Sequence, residues 1–156
     1  LCVILTLKES LSPVYWLSVG DVSFPFVAVI EHTRMIPRSW YKGAHIVYLS
    51  RYTNPQDEWY TATDDQLLAR VPAELKKLFP HFSKDLITSA QVSRARFTQP
   101  ITPVGYAQRI PPQKTSIPGL YLATMAQIYP IDRGTNYALY QGYEVADQVL
   151  EYLGVT

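Results

Sequence analysis

The 156-residue sequence holds a single cysteine, Cys2. A lone cysteine forms no intrachain disulfide, so nothing points to secretion, and the cytoplasm is the expected location. Charge is also scarce: Asp, Glu, Lys and Arg make up 17% of residues, against about a quarter in ordinary globular chains. Fourteen basic and thirteen acidic residues leave a net charge of +1. That balance gives no electrostatic footprint for nucleic acid or an acidic membrane. Apolar runs such as residues 24–30 are far too short to cross a bilayer. No basic leader precedes the first apolar stretch, and Lys8 and Glu9 end it too early for a signal peptide. The three histidines, His32, His45 and His81, lack metal-ligand spacing, so no metal is expected. The seven glycines contain neither a G-x-G-x-x-G nor a P-loop, and no G-x-S-x-G elbow occurs, which leaves a hydrolase triad unsupported. What is abundant is apolar and aromatic: 47% hydrophobic residues with 3 Trp, 12 Tyr and 5 Phe. Disorder is excluded. A compact chain of this length buries about two-thirds of its unfolded surface.

The first half reads as sheet. Residues 1–7, 14–19, 24–30 and 44–50 are rich in β-branched and aromatic residues, and their close spacing favours antiparallel pairing. The opening Leu1, already inside a strand pattern, suggests a piece cut from a longer chain. Helical signals follow. Thr63-Asp64-Asp65-Gln66 matches a capping box. Pro72 suits the first turn of a second short helix over 73–79. Residues 91–98 alternate as a strand, with Arg94 and Arg96 on one face. Residues 99–118 carry five prolines and read as a crossing between two structural units.

The final segment changes character. Gly119-Leu120-Tyr121-Leu122-Ala123 is continuously apolar, like a strand buried on both faces of a parallel sheet. A loop and a helix over 135–153 follow. The expected buried stripe of that helix is Ala138, Gly142, Val145, Ala146, Val149 and Leu153.

The entry to this helix, Asp132-Arg133-Gly134-Thr135-Asn136, is the most informative part of the chain. First-turn amides have no partner inside a helix, and the helix dipole adds positive potential. Thr135, Asn136 and Tyr137 bring no carboxylate to that end, whereas Glu144, Asp147 and Glu151 all lie later. Two readings stand side by side: Thr135 or Asn136 caps the helix, or the positive end is kept free for an anionic or polar ligand. From residue 86 to residue 131 there is no Asp or Glu, while Arg94, Arg96, Arg109 and Lys114 are present. This stretch is either a solvated sheet face and loop, or Arg94 and Arg96 meet a substrate carboxylate or phosphate.

Pro118-Gly119-Leu120-Tyr121-Leu122-Ala123, then Arg133-Gly134-Thr135-Asn136-Tyr137-Ala138, then Gly142-Tyr143-Glu144-Val145-Ala146 resemble the C-terminal flavin-binding segment of the flavin amine oxidase superfamily. That superfamily includes protoporphyrinogen oxidases, phytoene desaturases and, more distantly, UDP-galactopyranose mutases. The resemblance covers about residues 115–153 as an ordered strand-loop-helix. It implies FAD as cofactor, with the amides around Thr135 and Asn136 facing the N1–O2 edge of the flavin ring, beside Arg133 and Gly134. It further implies that Thr124, Met125 and Ala126 pass the ribityl or pyrophosphate region. The family's usual Gly-Asp is Thr124-Met125 here, which removes a carboxylate. The dinucleotide fingerprint that holds the pyrophosphate and adenosine half is not in these residues, so the chain alone is not expected to retain FAD.

The fold class implied is α+β. Residues 1–98 would form a mostly antiparallel sheet with helices, like a substrate-binding domain, and 99–114 a crossing loop. Residues 115–156 would be a strand-loop-helix completing a Rossmann-type FAD domain. In the parent enzyme a hydride would pass from a substrate carbon to the flavin. Arg96, Gln99, Tyr106 and Tyr129, near the unit junction, are the candidate residues for a small-molecule substrate. A redox-neutral mutase use of the flavin and a non-catalytic α+β module that binds a small ligand or a protein are the alternatives. A piece lacking half its cofactor domain would also expose an apolar edge or patch, which would allow self-association.

Overall fold

The computed structural model describes residues 1–155. It is an α+β structure that divides into two compact units, Leu1–Arg96 and Phe97–Thr156.

The first unit is built on a five-stranded antiparallel sheet. Its strands are β1 (Cys2–Leu7), β2 (Trp16–Ser18), β3 (Ala28–Glu31), β4 (His45–Ser50) and β5 (Ile87–Ser93). They lie in the order β2-β3-β4-β1-β5. Successive side chains on a strand point to opposite faces, so Val3, Leu5 and Leu7 are buried while Cys2, Ile4 and Thr6 are only partly covered. Burial raises the pKa of the Cys2 thiol above its ordinary value, against the pull of the nearby amino terminus. Two helices follow β4: the short α1 (Glu58–Thr61) and α2 (Asp64–Leu78). The α2 stripe Leu67, Val71 and Leu75, at four-residue spacing, is fully buried in a core with Val3, Leu5, Val29, Val47, Leu49, Phe26 and Phe82. The capping box forms as its spacing predicts. Gln66 N donates to Thr63 Oγ1 at 3.3 Å, and Thr63 N donates to Gln66 Oε1 at 3.1 Å.

Pro72 does not start a second helix. It lies inside the continuous α2. Pro lacks the amide that would bond the carbonyl four residues back, and the buried stripe on both sides of it outweighs that single lost bond. The Arg-bearing segment also differs from expectation. The strand ends at Ser93, and Arg94 is consumed locally. Its Nε donates to Tyr60 O at 3.0 Å and an Nη to Ala62 O at 2.8 Å, and it pairs with Asp64. Arg94 thus clamps the end of α1 to the start of α2, with each guanidinium nitrogen bonded within the protein.

Two polar residues, Ser12 and Glu31, are buried in this unit. Glu31 is fully buried. Its Oε2 accepts from Leu11 N at 2.9 Å and Ser12 N at 2.6 Å, and its Oε1 accepts from His45 Nδ1 at 3.2 Å. Arg38, which can only donate, reaches His45 Nε2 at 2.9 Å. The neutral imidazole therefore carries its hydrogen on Nδ1, facing Glu31.

The second unit holds one long helix, α3 (Thr135–Leu153), with the bounds its pattern predicts. It ends in a Schellman motif: Gly154 adopts φ 69°, its amide reaches Glu151 O at 3.1 Å, and Val155 N reaches Leu150 O at 3.0 Å. The segment expected as a doubly buried strand, Gly119 to Ala123, pairs differently. Tyr121 makes an isolated antiparallel bridge to Lys114, and Leu122 N donates to Gln113 O at 2.7 Å. Pro118-Gly119 supplies the turn between them, with Gly119 at φ 79° and Leu120 N bonded to Ile117 O at 3.1 Å. Among the described residues this segment has no parallel neighbour, and local hairpin bonds satisfy its backbone instead. The α3 stripe is also corrected. Ala138, Gly142, Ala146 and Leu153 are exposed, Val145 and Val149 are half-buried, and Gln141 is the buried residue of the helix.

Candidate functional site

The site is built within the second unit, around the first turns of α3. Gly134 occupies the N-cap position in an extended conformation, so no side chain caps the helix there. The first turn contains no acidic residue, and Thr135 and Asn136 are exposed. The capping alternative for those two residues is thereby set aside, because both lie inside the helix. A Cβ at Gly134 would come within 2.7 Å of Asn136 Oδ1. The bare glycine keeps backbone close to this helix mouth, where unpaired amides and the helix dipole combine into positive potential.

Arg133, just before that mouth, is used as a brace. Its two terminal nitrogens donate to Pro100 O and Gln99 Oε1, each at 3.1 Å, while its Nε is buried without a partner. The bond brings Arg133 and Gln99, two of the sequence candidates, together. Arg96 belongs to the other unit.

Thr124, Met125 and Ala126 lie on a second short stretch, with a 3-10 turn at Met125–Gln127. Its position is set by a residue that the sequence reading did not single out. Gln127 Oε1 accepts from Thr124 N at 2.8 Å and from Gln141 Nε2 at 3.0 Å, and Gln127 Nε2 donates to Pro111 O at 3.0 Å. One carboxamide thus ties the turn, the loop at Pro111 and the middle of α3 to one another. Tyr106 adds a fourth tie. Its buried hydroxyl donates to Ala126 O at 2.7 Å, and its ring centroid lies 5.6 Å from that of Tyr129. Tyr106, Ala126 and Tyr129 are therefore neighbours.

Beside this framework is a cleft of about 330 Å³. Tyr129 and Ile131 line it from the loop, Gln127 from the turn, and Tyr137, Tyr140, Gln141 and Glu144 from α3. The helical residues have three-to-four spacing, which places them on one face. That spacing was the available sequence signal, and it ran beside the small-residue stripe chosen instead. Among the described residues no group of three His, Cys, Asp or Glu side chains could hold a metal ion. Among them, too, no helix is long and apolar enough to cross a membrane.

The model of the flavin containing amine oxidoreductase family matches residues 12–150. No curated protein and no solved structure matches the chain. The family match runs from ahead of β2 into the last turns of α3, so it takes in most of both units. It reaches well beyond the segment around α3 on which the sequence resemblance rested. The chain belongs to the family of flavin containing amine oxidoreductases.

Proposed function

We propose that this chain supplies the flavin edge and the substrate side of an FAD-dependent oxidoreductase, in which a hydride passes from a substrate carbon to the cofactor. The observation that carries the reading is the mouth of α3, with a bare Gly134 at the N-cap, no first-turn acid and exposed Thr135 and Asn136. These features suit the oxygen edge of a flavin ring. The bound flavin would supply the two-electron acceptor chemistry. The chain's own residues would bind and orient. Backbone amides at Thr135 and Asn136 would donate toward the ring's O2 edge and favour negative charge there, a preorganised electrostatic arrangement. Thr124, Met125 and Ala126, held in place by Gln127 and Tyr106, would run along the ribityl or pyrophosphate part. Met125 brings a thioether where the family pattern has a carboxylate, so backbone contacts dominate this stretch.

On the substrate side, Tyr129 offers a partly exposed ring. The Tyr106 hydroxyl is engaged with Ala126 O, so Tyr106 is a positioning residue. Gln99 is oriented by Arg133. The sequence has no G-x-G-x-x-G, the motif that holds most of the pyrophosphate and adenosine half, so this chain's residues would meet mainly the flavin end of the cofactor.

Asn136→Asp in the flavin-loaded whole protein tests the reading. A carboxylate in the first turn stabilises a helix by about 0.3–1 kcal/mol, so thermal stability should hold or rise. The same charge should disfavour the reduced flavin and lower its midpoint potential by on the order of 20 mV. A stable variant with an unchanged potential would overturn the assignment.

A further inference from the structure

We propose that the cleft beside α3 is a binding site for a small quaternary ammonium ligand. The inference does not depend on the flavin reading, although the cleft shares Tyr129 and Gln127 with it.

The cleft's volume, about 330 Å³, is at the lower end of the range for small-molecule sites, roughly 300–1,000 Å³. Tyr129, Tyr137 and Tyr140 line it and keep between a third and two-thirds of their surface exposed. Three solvent-facing tyrosines around one concavity put aromatic surface where a globular protein ordinarily has little use for it. The negative face of an aromatic ring attracts a cation.

The polar lining selects further. The Gln127 carboxamide is fully engaged, accepting from Thr124 N and Gln141 Nε2 and donating to Pro111 O. Gln113 donates to Glu144 Oε2 at 3.3 Å and accepts from Gln148. No Lys or Arg is among the residues that line the cleft, so Glu144 is its one charge. That charge calls for a cation. A primary ammonium carries three donors and wants three acceptors, whereas the Gln127 and Gln113 oxygens of this wall already accept from the protein's own side chains and backbone. A quaternary head has no N–H to satisfy, sheds water more easily, and gains from aromatic contact plus one carboxylate. Having no nitrogen lone pair, it cannot be oxidised to an iminium, so it would be held as a ligand.

The test uses three probes on the whole protein: choline, its equal-sized uncharged carbon isostere 3,3-dimethylbutan-1-ol, and ethanolamine, the smaller primary amine without the three methyl groups. Calorimetric titration is paired with NMR of the tyrosine rings to localise binding. Choline should bind saturably with Kd on the order of 1 mM and shift the Tyr137 and Tyr140 ring signals. The neutral isostere and ethanolamine should each bind roughly tenfold more weakly. Glu144→Gln should weaken choline about tenfold and leave the isostere unchanged. Tyr140→Ala should weaken choline and Tyr140→Phe should restore it, since the ring and not the hydroxyl makes the contact. These side chains are exposed, so the variants should keep the fold, checked by circular dichroism. Absence of saturable choline binding, equal binding of the isostere, or an unaffected Glu144→Gln variant would each overturn the proposal. Ethanolamine binding as tightly as choline would overturn the quaternary assignment. None of these measurements involves flavin, so a failed Asn136→Asp test leaves them standing, and the reverse holds too.

Discussion

The two units are held together by different means. In Leu1–Arg96 a helix stripe and one face of a sheet bury a continuous apolar core, with Val3, Leu5, Val47, Leu49, Leu67, Val71 and Leu75 at or near zero exposure. In Phe97–Thr156 the buried residues, among those described, are Tyr106, Ile128 and Gln141. Two of those three are buried for the sake of a hydrogen bond. The second unit is therefore stitched by Gln127, Arg133, Tyr106 and the short hairpin at Pro118-Gly119, while apolar side chains such as Leu139, Leu150 and Leu153 stay exposed. Apolar burial is roughly additive and tolerant of small shifts, whereas a carboxamide that satisfies three partners is not. The first unit should then unfold as one cooperative body, and the second should open locally at lower cost.

The largest effect expected from breaking this comparison is at Glu31, the carboxylate buried in the apolar unit. Glu31→Gln places an NH2 against either the Leu11 and Ser12 amides or the His45 Nδ1 hydrogen, so one set of buried donors loses its acceptor. A loss of about 3 kcal/mol is expected, measured by urea unfolding followed through Trp59 fluorescence. A change near zero would mean that the carboxylate is dispensable to the core. Next is Gln127→Ala in the stitched unit, which removes three hydrogen bonds at once. About 2 kcal/mol should be lost, and amide exchange should quicken around residues 124–128 and 141 while β1 and β4 keep their protection. Loss of protection in the sheet as well would show that the units do not open separately. The smallest effect concerns Asp57. Partial burial works to raise its pKa, but bonds from Arg51, Trp59 N and Thr53, with the Arg51 charge, hold it below the ordinary 3.8. A depressed carboxylate contributes stability above its unfolded value, and the contribution fades as pH falls through the folded one. Stability should therefore decline below about pH 4, and Asp57→Asn should flatten that limb; an unaltered acid profile would rule the Arg51 pair out as its source.

The sheet, the capping box at Thr63 and the bounds of α3 were legible because their causes are local. β-Branched runs, a Thr-x-x-Gln spacing and glycines at 134 and 154 act within one turn or one strand. Pro72 misled because propensity weighs the missing amide and not the core that Leu67, Val71 and Leu75 complete around it. At 119–123, apolar composition cannot tell a parallel-sheet strand from a hairpin arm. The helix mouth was readable from residue types. Gln127 and Gln141 were not, since two glutamines fourteen positions apart bear no mark of their bond until the turn between them is known. Glu31 was equally silent: its partners Leu11, Ser12 and His45 are far off in sequence, and a lone carboxylate in a strand looks solvent-facing.

The strand order β2-β3-β4-β1-β5 has a consequence for biosynthesis. β1 is translated before both of its neighbours yet lies between them, so Val3, Leu5 and Leu7 emerge from the ribosome ahead of the strands they pair with. Their first partner, β4, appears dozens of residues later, and β5 later still, after α2. Until both have been made, the apolar face of β1 lacks the strands that cover its edges in the finished sheet, and such long-range pairing is slow and open to aggregation during synthesis.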